Sequence, residues 1–272
     1  MSPSPDPTHS AQPRTAVVTG ASSGIGRATA LRLAAEGVHV LAAARREERL
    51  TALADAAAET GGVITPIAAD VSDEQQVAEL AASAADLFPR GLTSLINVAG
   101  GALGVEPVEN ADYGKWAQMY ASNVIGAGRV TTALLPLIRR HGGGDIVFLT
   151  STAGQVAYEG GAGYNAAKAG EHMIAAALRL ELAGEPIRVI EVAPGLVHTD
   201  EFSLVRLGGD EQAASKVYEG VAEPLLAEDV ADVIAYSIAL PAHVNLDLIT
   251  MRPVAQAAAH KLVRKPLAVK PE

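Results

Sequence analysis

The stretch that decides the fold is Thr19-Gly20-Ala21-Ser22-Ser23-Gly24-Ile25-Gly26, and it directly follows the apolar run Thr15–Thr19. A glycine-rich turn in this position leads from a strand into a helix. Glycines let the backbone approach a pyrophosphate closely, and the free N–H groups and dipole at a helix start favour its negative charge. No Gly-Lys-Ser/Thr ends the stretch, which excludes a P-loop. The stretch therefore predicts a nucleotide-binding turn, the alternative being an ordinary tight turn.

Outward from this turn, short apolar runs alternate with longer Ala- and Leu-rich stretches. Seven runs predict strands: Thr15–Thr19, Val38–Ala43, Val63–Ala69, Leu92–Val98, Asp145–Leu149, Ile187–Val192 and Leu246–Met251. Six stretches predict helices: Gly24–Ala35, Arg46–Glu59, Asp73–Phe88, Ala111–Arg140, Tyr164–Leu182 and Ala227–Leu240. Repeated strand–helix–strand units imply right-handed crossovers and a parallel sheet. The predicted fold class is α/β, a single-domain Rossmann-type fold with a doubly wound, seven-stranded parallel sheet and helices on both faces.

The composition favours one large core. The chain has 272 residues, of which 49% are hydrophobic and 19% charged, and this leaves little room for two independent domains. Residues 14–255 are predicted to form the domain, with a lid near 199–224 where an irregular, charged segment breaks the alternation. Residues 1–13, rich in Pro, Ser, Asp and Thr, predict a disordered N-terminal tail, and residues 256–272 a C-terminal tail.

The charge and the cysteine content argue against several classes of protein. A formal net charge of −10 and the lack of a Lys/Arg block argue against nucleic acid and membrane surfaces as partners. Without cysteine there is no disulfide, thiolate zinc site or cysteine nucleophile, and the seven histidines lack ligand spacing, so no metal site is predicted. No signal peptide and no apolar run near membrane-spanning length stand out, which leaves the cytoplasm as the expected location.

The end of the second predicted strand carries Ala44, Arg45 and Arg46. Dehydrogenases that use NAD place an Asp or Glu about 20 residues past the glycines, where it binds the ribose 2′-hydroxyl. Two guanidinium groups suit a 2′-phosphate instead, because they can form charge-assisted, bidentate bonds with it. Arg45 and Arg46 therefore predict NADP (NADPH) as the cofactor. A solvated helix start is the alternative interpretation.

One predicted helix begins with Tyr164-Asn165-Ala166-Ala167-Lys168, which puts the phenol and the ammonium one turn apart on one face. Such a pair alone is more often a surface pair. Here Ser151 lies upstream, at the end of the fifth predicted strand, and the glycine-rich turn lies further upstream still. With these motifs in this order, the chain resembles the short-chain dehydrogenase/reductase family over residues 14–255.

The resemblance implies which residues carry the chemistry. It gives Asn123, Ser151, Tyr164 and Lys168 as catalytic residues. Tyr164 is the expected acid/base, because the Lys168 ammonium and the positive nicotinamide favour the phenolate over the phenol, whose ordinary pKa is about 10. Ser151 is expected to hold the substrate oxygen. Asn123 is expected to hold a water near Lys168, or else to be a helix-bending residue satisfied by the backbone.

The family's cofactor contacts also map onto this chain. Asp70-Val71 resembles the adenine-contacting pair, Asn97-Val98-Ala99-Gly100 the Asn-Asn-Ala-Gly element with its second Asn replaced, and Pro194-Gly195-Leu196-Val197-His198-Thr199 the segment that fixes the carboxamide. The cofactor-binding residues implied are Gly20, Ser22, Ser23, Gly24, Ile25, Gly26, Arg45, Arg46, Asp70, Val71, Asn97, Ala99, Gly100, Tyr164, Lys168, Pro194, Gly195, Val197 and Thr199. An acidic N-cap of the following helix is the alternative interpretation of Asp70.

The C-terminal third is similar to the NADP-dependent 3-hydroxy acid, serine or allo-threonine dehydrogenase branch of the family. A substrate carboxylate would need a cation, which Arg206 or Lys216 in the lid could supply, and His198 is the histidine placed to touch a substrate. The predicted site for a small alcohol or carbonyl substrate is therefore formed by Ser151, Tyr164, His198 and Arg206.

Members of this family are usually tetramers, so a homotetramer is expected by analogy. Two other functions stay open. One is an NAD-linked sugar or steroid dehydrogenase of the same family. The other is a non-catalytic dinucleotide-binding module, although its usual sign, loss of the catalytic Tyr or Lys, is not seen in this chain.

Overall fold

The structure is a computed structural model that describes residues 14–267, so the predicted N-terminal tail, 1–13, lies outside the described residues. The strands are β1 (Thr15–Thr19), β2 (His39–Ala44), β3 (Val63–Ala68), β4 (Ser94–Asn97), β5 (Gly144–Leu149), β6 (Ile187–Pro194), β7 (Val197–His198), β8 (Leu225–Leu226), β9 (Leu248–Met251), β10 (Gln256–Ala258) and β11 (Lys261–Leu262). A seven-stranded sheet runs in the order β3-β2-β1-β4-β5-β6-β9, and all its pairings are parallel.

Helices cover both faces of this sheet. They are α1 (Gly24–Ala35), α2 (Glu47–Ala58), α3 (Glu74–Leu87), α4 (Tyr113–Tyr120), α5 (Ala127–His141), α6 (Ala162–Glu181), α7 (Phe202–Arg206), α8 (Glu211–Tyr218) and α9 (Ala227–Ala239). One core contains α1, α2 and α9, and the other contains α3, α5 and α6. The central strands are apolar at successive positions because both of their faces are covered.

The strand order reverses beside β1, which lies between β2 and β4. Parallel strands present their carboxyl ends at one edge, and a crevice forms there where the order reverses. The turns after β1, β2, β4, β5 and β6 all open on this crevice. The fold thus brings together the glycine-rich turn, the arginine pair and the Ser151 region.

The predicted fold class is confirmed, and the seven predicted strands are present to within about two residues at each end. The predicted helix Ala111–Arg140 is different in detail, because a π-helical segment, Ala121–Gly126, separates α4 from α5. The side chain of Asn123 donates to the backbone carbonyl of Met119 at 2.7 Å, four residues earlier. Asparagine thereby competes for a carbonyl of the regular ladder, and this accompanies the local widening of the helix.

The same helical run corrects the expectation that no apolar stretch approaches membrane-spanning length. Tyr113–His141 is 29 residues long and passes that test by length and composition. Half of its most apolar window is buried within the protein. Its side chains Val130, Leu134 and Ile138 pack into the core below the sheet, as those of a core helix do.

Two other segments are more ordered than the sequence suggests. The predicted lid, 199–224, contains the short helices α7 and α8. A hydrogen bond of 2.8 Å between the hydroxyls of Ser203 and Tyr218 joins the two helices. Beyond the predicted boundary at residue 255, β10 and β11 pair with each other and Arg264 donates to the carbonyl of Glu219 at 2.6 Å. These long-range contacts leave no periodic pattern in the sequence.

Candidate active site

A cleft of about 1020 Å³ opens at the carboxyl ends of the strands. Turns after the strands form its floor, and the lid segment 199–224 forms part of its rim. Most of the predicted site residues meet here. The lining includes Gly20, Ser22, Ser23, Gly24, Ile25, Gly26, Arg45, Arg46, Asp70, Val71, Ala99, Gly100, Ser151, Tyr164, Lys168, Pro194, Gly195, Val197, Thr199 and Arg206.

The glycine-rich turn forms a cradle that side chains would fill. Gly20 and Gly24 have φ angles of +66° and +50°, a left-handed conformation that glycine adopts easily. A Cβ atom on Gly20 would lie 2.9 Å from the Cα of Ala99. Ser23 is the N-cap of α1, and within residues 14–267 its side chain makes no capping hydrogen bond. The first N–H groups of α1 are thus left for an anion, so the turn fits the pyrophosphate of a dinucleotide.

Thr19 ties the first two turns together. Its buried hydroxyl accepts hydrogen bonds from the backbone N–H groups of Val98 and Ala99, both at 3.0 Å. It also donates to the carbonyl of Ile96. The end of β4 is therefore held against the start of the glycine-rich turn.

Arg46 forms the polar wall beside the glycine-rich turn. Its guanidinium donates to the hydroxyls of Ser22 and Ser23 at 3.0 and 3.1 Å and to both carboxylate oxygens of Glu201 at 2.9 and 2.8 Å. Arg49 also pairs with Glu201. The hydrogen bonds from Arg46 are the main cause that lowers the pKa of Glu201 to about 2. Sequence reasoning missed Glu201, which lies in the lid.

Asp70 and Arg45 border the same end of the cleft. Arg45 is exposed. Burial raises the pKa of Asp70, but hydrogen bonds from the N–H and hydroxyl of Ser72, at 2.9 and 2.6 Å, and the charge of Arg45 lower it overall. The helix cap is Asp73, which accepts from the N–H of Gln76 at 3.0 Å. The structure thus favours a cleft-facing Asp70 over the alternative of an N-cap.

Ser151 and Tyr164 are buried side by side at the other end of the cleft. The Ser151 hydroxyl accepts from the N–H of Ala153 at 3.1 Å, which fixes it at the end of β5. Burial raises the pKa of the Tyr164 phenol, while the Lys168 charge and a hydrogen bond with Ser151 act in the opposite direction. Burial is the stronger influence, so the protein alone leaves Tyr164 protonated at neutral pH.

Lys168 lies one turn further along α6. Its ammonium donates to the carbonyl of Leu149 at 2.8 Å and to the carboxylate of Glu171 at 2.6 Å. Both side chains of this ion pair are buried, with 5% and 1% exposure. Glu171 was not predicted as a site residue, although its spacing of three from Lys168 on a helix was available as a signal.

Asn123 lies in the π-helical segment and hydrogen-bonds to the backbone. Its fully buried side chain accepts from the N–H of Gly101 at 3.1 Å and donates to the carbonyls of Gly101 and Met119. The backbone therefore satisfies this side chain, which does not belong to the cleft lining. A Cβ on Gly100 would collide with it, so the Asn123 amide also fixes the turn after β4.

Two further predicted site residues, Asn97 and His198, lie outside the lining of the cleft. Asn97 is buried and donates to the hydroxyl of Thr131 at 3.0 Å, which directs it into the helix layer. His198 is exposed and lies against the ring of Tyr218, with centroids 4.3 Å apart. Neither lines the cleft. For His198 the reason is the alternation of a strand, because Val197 faces inward and its neighbour must face outward.

Arg206 lies over the catalytic end. Its guanidinium carbon is 5.7 Å from the ring centroid of Tyr164 and 5.5 Å from that of Tyr158. Phe202 packs edge-on against Tyr164 at 5.8 Å. Lys216, the alternative cation, is exposed and does not line the cleft. The lid thus presents one guanidinium and one aromatic wall toward Tyr164.

Gln256 is a cleft residue that sequence reasoning assigned to the tail. Its side-chain oxygen accepts from the N–H of Leu196 at 2.8 Å, and a Cβ on Gly195 would collide with it. This contact holds the turn after β6. Among residues 14–267, no group of three or more His, Cys, Asp or Glu side chains is placed to hold a metal ion.

A parallel sheet with a glycine-rich turn and a buried Ser–Tyr–Lys set defines a class of dinucleotide-dependent oxidoreductases. The chain belongs to the short chain dehydrogenase family, whose model matches residues 14–207. It is therefore an oxidoreductase. An uncharacterized oxidoreductase of Mycobacterium tuberculosis is 49% identical over 93% of this chain and 96% of its own length.

Two other relatives have more specific names. Sulfoacetaldehyde reductase 2 of Chromohalobacter salexigens is 42% identical over 89% of this chain and 94% of its own length. Among solved structures, the closed form of serine dehydrogenase complexed with NADP⁺ is 36% identical and superposes with a TM-score of 0.85, covering 95% of this chain and all of that one.

Proposed function

We propose that the protein is an NADP-dependent dehydrogenase/reductase that interconverts a short 3-hydroxy acid and the corresponding carbonyl compound, with Tyr164 as the acid/base. The observation that carries this proposal is the position of Arg206, whose guanidinium lies over the ring of Tyr164 within one cleft. A planar guanidinium binds a carboxylate or sulfonate through paired, charge-assisted hydrogen bonds. A substrate anchored there would have its reactive carbon a few bonds away, toward Tyr164 and Ser151.

The names of the relatives agree with an anionic substrate. Sulfoacetaldehyde carries a sulfonate and serine a carboxylate, and each has its carbonyl or hydroxyl group close to that anion. The aromatic rings of Phe202 and Tyr158 line the same cleft. The Arg206 guanidinium favours an anionic substrate over an uncharged sugar or steroid, and the buried Ser151, Tyr164 and Lys168 favour an enzyme over a non-catalytic module.

Several residues would hold the cofactor. The turn from Gly20 to Gly26 fits the pyrophosphate, and Arg45 and Arg46 fit a 2′-phosphate. Asp70 and Val71 would contact the adenine. The other proposed contacts line the nicotinamide end: Ala99, Gly100, Tyr164, Lys168, Pro194, Gly195, Val197 and Thr199. When bound, the nicotinamide supplies or accepts a hydride.

The chain's own residues handle the proton and the substrate oxygen. In reduction, the Tyr164 phenol donates its proton to the carbonyl oxygen, and in oxidation the phenolate removes the proton from the hydroxyl. The Ser151 hydroxyl donates to the same oxygen and stabilises its developing charge. The Lys168 ammonium favours the phenolate form, as its effect on the pKa of Tyr164 indicates. Asn123 positions the turn at Gly100 and Gly101.

We also propose a homotetramer in the cytoplasm. Exposed apolar side chains on the outer surfaces of α6 and of the helical run before it support an oligomer: Tyr113, Tyr120, Ile125, Met173 and Leu180. Large exposed apolar patches mark interaction surfaces, and we infer that another subunit covers these side chains. The lack of cysteine agrees with a reducing compartment.

The test is NADP⁺ reduction with a short 3-hydroxy acid, its sulfonate analogue and an uncharged alcohol of equal length. We expect kcat/KM for both anions to exceed that for the alcohol. Arg206→Met should lower it about 10- to 100-fold for the anions alone, as expected for a lost charged hydrogen bond. Tyr164→Phe should abolish turnover of every substrate while NADPH binding persists. If kcat/KM for the alcohol equals that for the anions, the proposed substrate class is wrong. If Tyr164→Phe keeps full activity, the proposed acid/base is wrong.

A further inference from the structure

Glu171 is a buried carboxylate that the proposed mechanism does not use. It lies on α6, one turn beyond Lys168, and its carboxylate accepts from the Lys168 ammonium at 2.6 Å. Its side chain is 1% exposed. A buried Glu is rare, and a buried ion pair often contributes little to stability compared with apolar residues of the same size. Its contact with the ammonium that faces Tyr164 therefore points to a role in the chemistry.

A second buried carboxylate, on the sheet, acts on the same ammonium through its charge. Glu191 on β6 accepts from the hydroxyl of Thr150 at 2.6 Å and is 2.7 Å from Nδ1 of His172. Its side chain is 1% exposed, whereas that of His172 is 27% exposed. The charges of both carboxylates act on the Lys168 ammonium, and His172 lies between Glu191 and the surface.

The other elements packed around this site bring few charges. The π-helical segment offers Asn123 and β5 ends in Leu149 and Thr150, all neutral, while Tyr158 faces Tyr164 from the segment before α6. From α7, the Arg206 guanidinium adds a positive charge 5.7 Å from the ring centroid of Tyr164. The charges around Tyr164 are therefore Lys168 and Arg206 against Glu171, while Glu191 acts on Lys168 and Glu171.

The energetics follow from burial. Burial is the main cause that raises the pKa of Glu171 to about 7; the Lys168 ammonium opposes this rise and Glu191 adds to it. Ionised Glu171 in turn raises the pKa of Tyr164, opposite to the effect of Lys168. When Glu171 carries a proton, the ammonium acts on the phenol at full strength. When Glu171 is ionised, its negative charge offsets part of that effect.

We propose that Glu171 is a positioning residue that fixes the Lys168 ammonium and sets its effective charge, and thereby the pH at which Tyr164 becomes a base. This inference rests on the proposed role of Tyr164. With Leu149 and Glu171 accepting two of the three ammonium protons, the third is left for the cleft. Glu171 therefore holds the Lys168 ammonium in place and also reduces the effect of its positive charge on Tyr164.

The experiment compares the wild type with Glu171→Gln, which keeps an oxygen that can accept from Lys168 but removes the negative charge. Ionisation of Tyr164 is measured without cofactor, as the tyrosinate absorbance lost in a Tyr164→Phe background. The pH profile of kcat/KM for alcohol oxidation is measured in parallel. We expect both midpoints to move down by about one pH unit, because a nearby negative charge is removed.

Two variants separate charge from packing. Glu171→Asp retains the charge and should leave both midpoints close to those of the wild type. Glu191→Gln should shift them in the same direction by less, since Glu191 does not contact Lys168, and it also tests the proposal if Glu171→Gln does not fold. Glu181→Gln, an exposed glutamate at the end of the same helix, is the matched control and should change neither.

Different outcomes would contradict the role of Glu171 and the role of Tyr164. Unchanged midpoints in both Glu171→Gln and Glu191→Gln would overturn the role of Glu171, and so would an upward shift. If Tyr164→Phe stays active, the proposed acid/base is wrong, yet the absorbance titration still reports whether Glu171 controls the ionisation of Tyr164.

Discussion

The two ends of the cleft each pair a glutamate with a cation, and the two glutamates respond in opposite ways. At the adenosine end, Glu201 accepts from Arg46 and Arg49, and its pKa falls to about 2. At the catalytic end, Glu171 accepts from Lys168, and its pKa rises to about 7. The difference lies in burial, because the side chain of Glu201 keeps 23% of its exposure and that of Glu171 only 1%.

This contrast separates two uses of the same interaction. Water can replace a partner in a half-exposed pair, so Arg46 can exchange Glu201 for another anion at a small cost. A fully buried pair cannot exchange its partners, and its charges act on their neighbours with little screening. We therefore expect changes at the adenosine end to alter cofactor affinity and changes at the catalytic end to alter rate, pH dependence and stability.

The strongest test of the buried end is Lys168→Met. We expect kcat to fall about 1000-fold, because general acid/base catalysis contributes roughly that much and the phenolate loses its cation. Stability to urea should fall by about 3 kcal/mol, because the substitution leaves Glu171 buried without a partner. Lys216→Met, which removes an exposed lysine of α8, is the control and should change neither quantity. A nearly active Lys168→Met enzyme would contradict the role given to this end of the cleft.

At the exposed end, Arg46→Ala should weaken NADPH binding about 10- to 100-fold and leave NADH binding unchanged. A hydrogen bond between charged groups contributes about 1.5–3 kcal/mol, and only NADPH carries the 2′-phosphate. Arg45→Ala should have a smaller effect because this side chain is more exposed. Titration of both reduced cofactors by fluorescence measures the difference. Equal losses for NADPH and NADH would mean that Arg46 supports the glycine-rich turn and does not recognise the phosphate.

A smaller effect is expected from Glu201→Gln. Because Glu201 occupies the guanidinium of Arg46, removing its charge should tighten NADPH binding about threefold at low salt, and the gain should shrink as salt screens the charges. Asp200→Asn, an exposed neighbouring acid, is the matched control. Weaker NADPH binding by Glu201→Gln would show instead that Glu201 holds Arg46 in the binding position.

Sequence reasoning found the elements whose signals are local. The parallel sheet follows from apolar runs of strand length, and the cradle at Gly20 from glycines between a strand and a helix. The spacing of four puts Tyr164 and Lys168 on one helix face, and the order of this pair after Ser151 and the glycine-rich turn gave the family resemblance that implies their roles. Each of these depends on residues close together in the chain.

The misses depend on contacts that no local pattern encodes. Glu201 meets Arg46 across 155 positions, and Gln256 meets Leu196 across 60. For Asn97 and His198 the motif located the backbone correctly but not the direction of the side chain, which alternates along a strand. Glu171 has a helical spacing that suggests contact with Lys168, but only the packing of α6 against the sheet shows that the pair is buried.

The last prediction uses the pH dependence of stability, where the two glutamates should act with opposite sign. Folding raises the pKa of Glu171 from 4.5 to about 7, so the folded protein retains a proton that the unfolded chain has lost, and stability falls as the pH rises through this window. Glu201 behaves conversely. Its contribution is complete above pH 4.5 and is lost as the pH falls toward 2.

Urea denaturation of the wild type, Glu171→Gln and Glu201→Gln at several pH values measures both effects. Between pH 5 and pH 7.5, the wild type should lose about 2 kcal/mol relative to Glu171→Gln, since the glutamine cannot ionise. Between pH 5 and pH 3, the wild type should lose stability relative to Glu201→Gln. If both glutamates gave the same sign, burial would not be what distinguishes the two ends of the cleft, because each carboxylate would then be stabilised mainly by its cation.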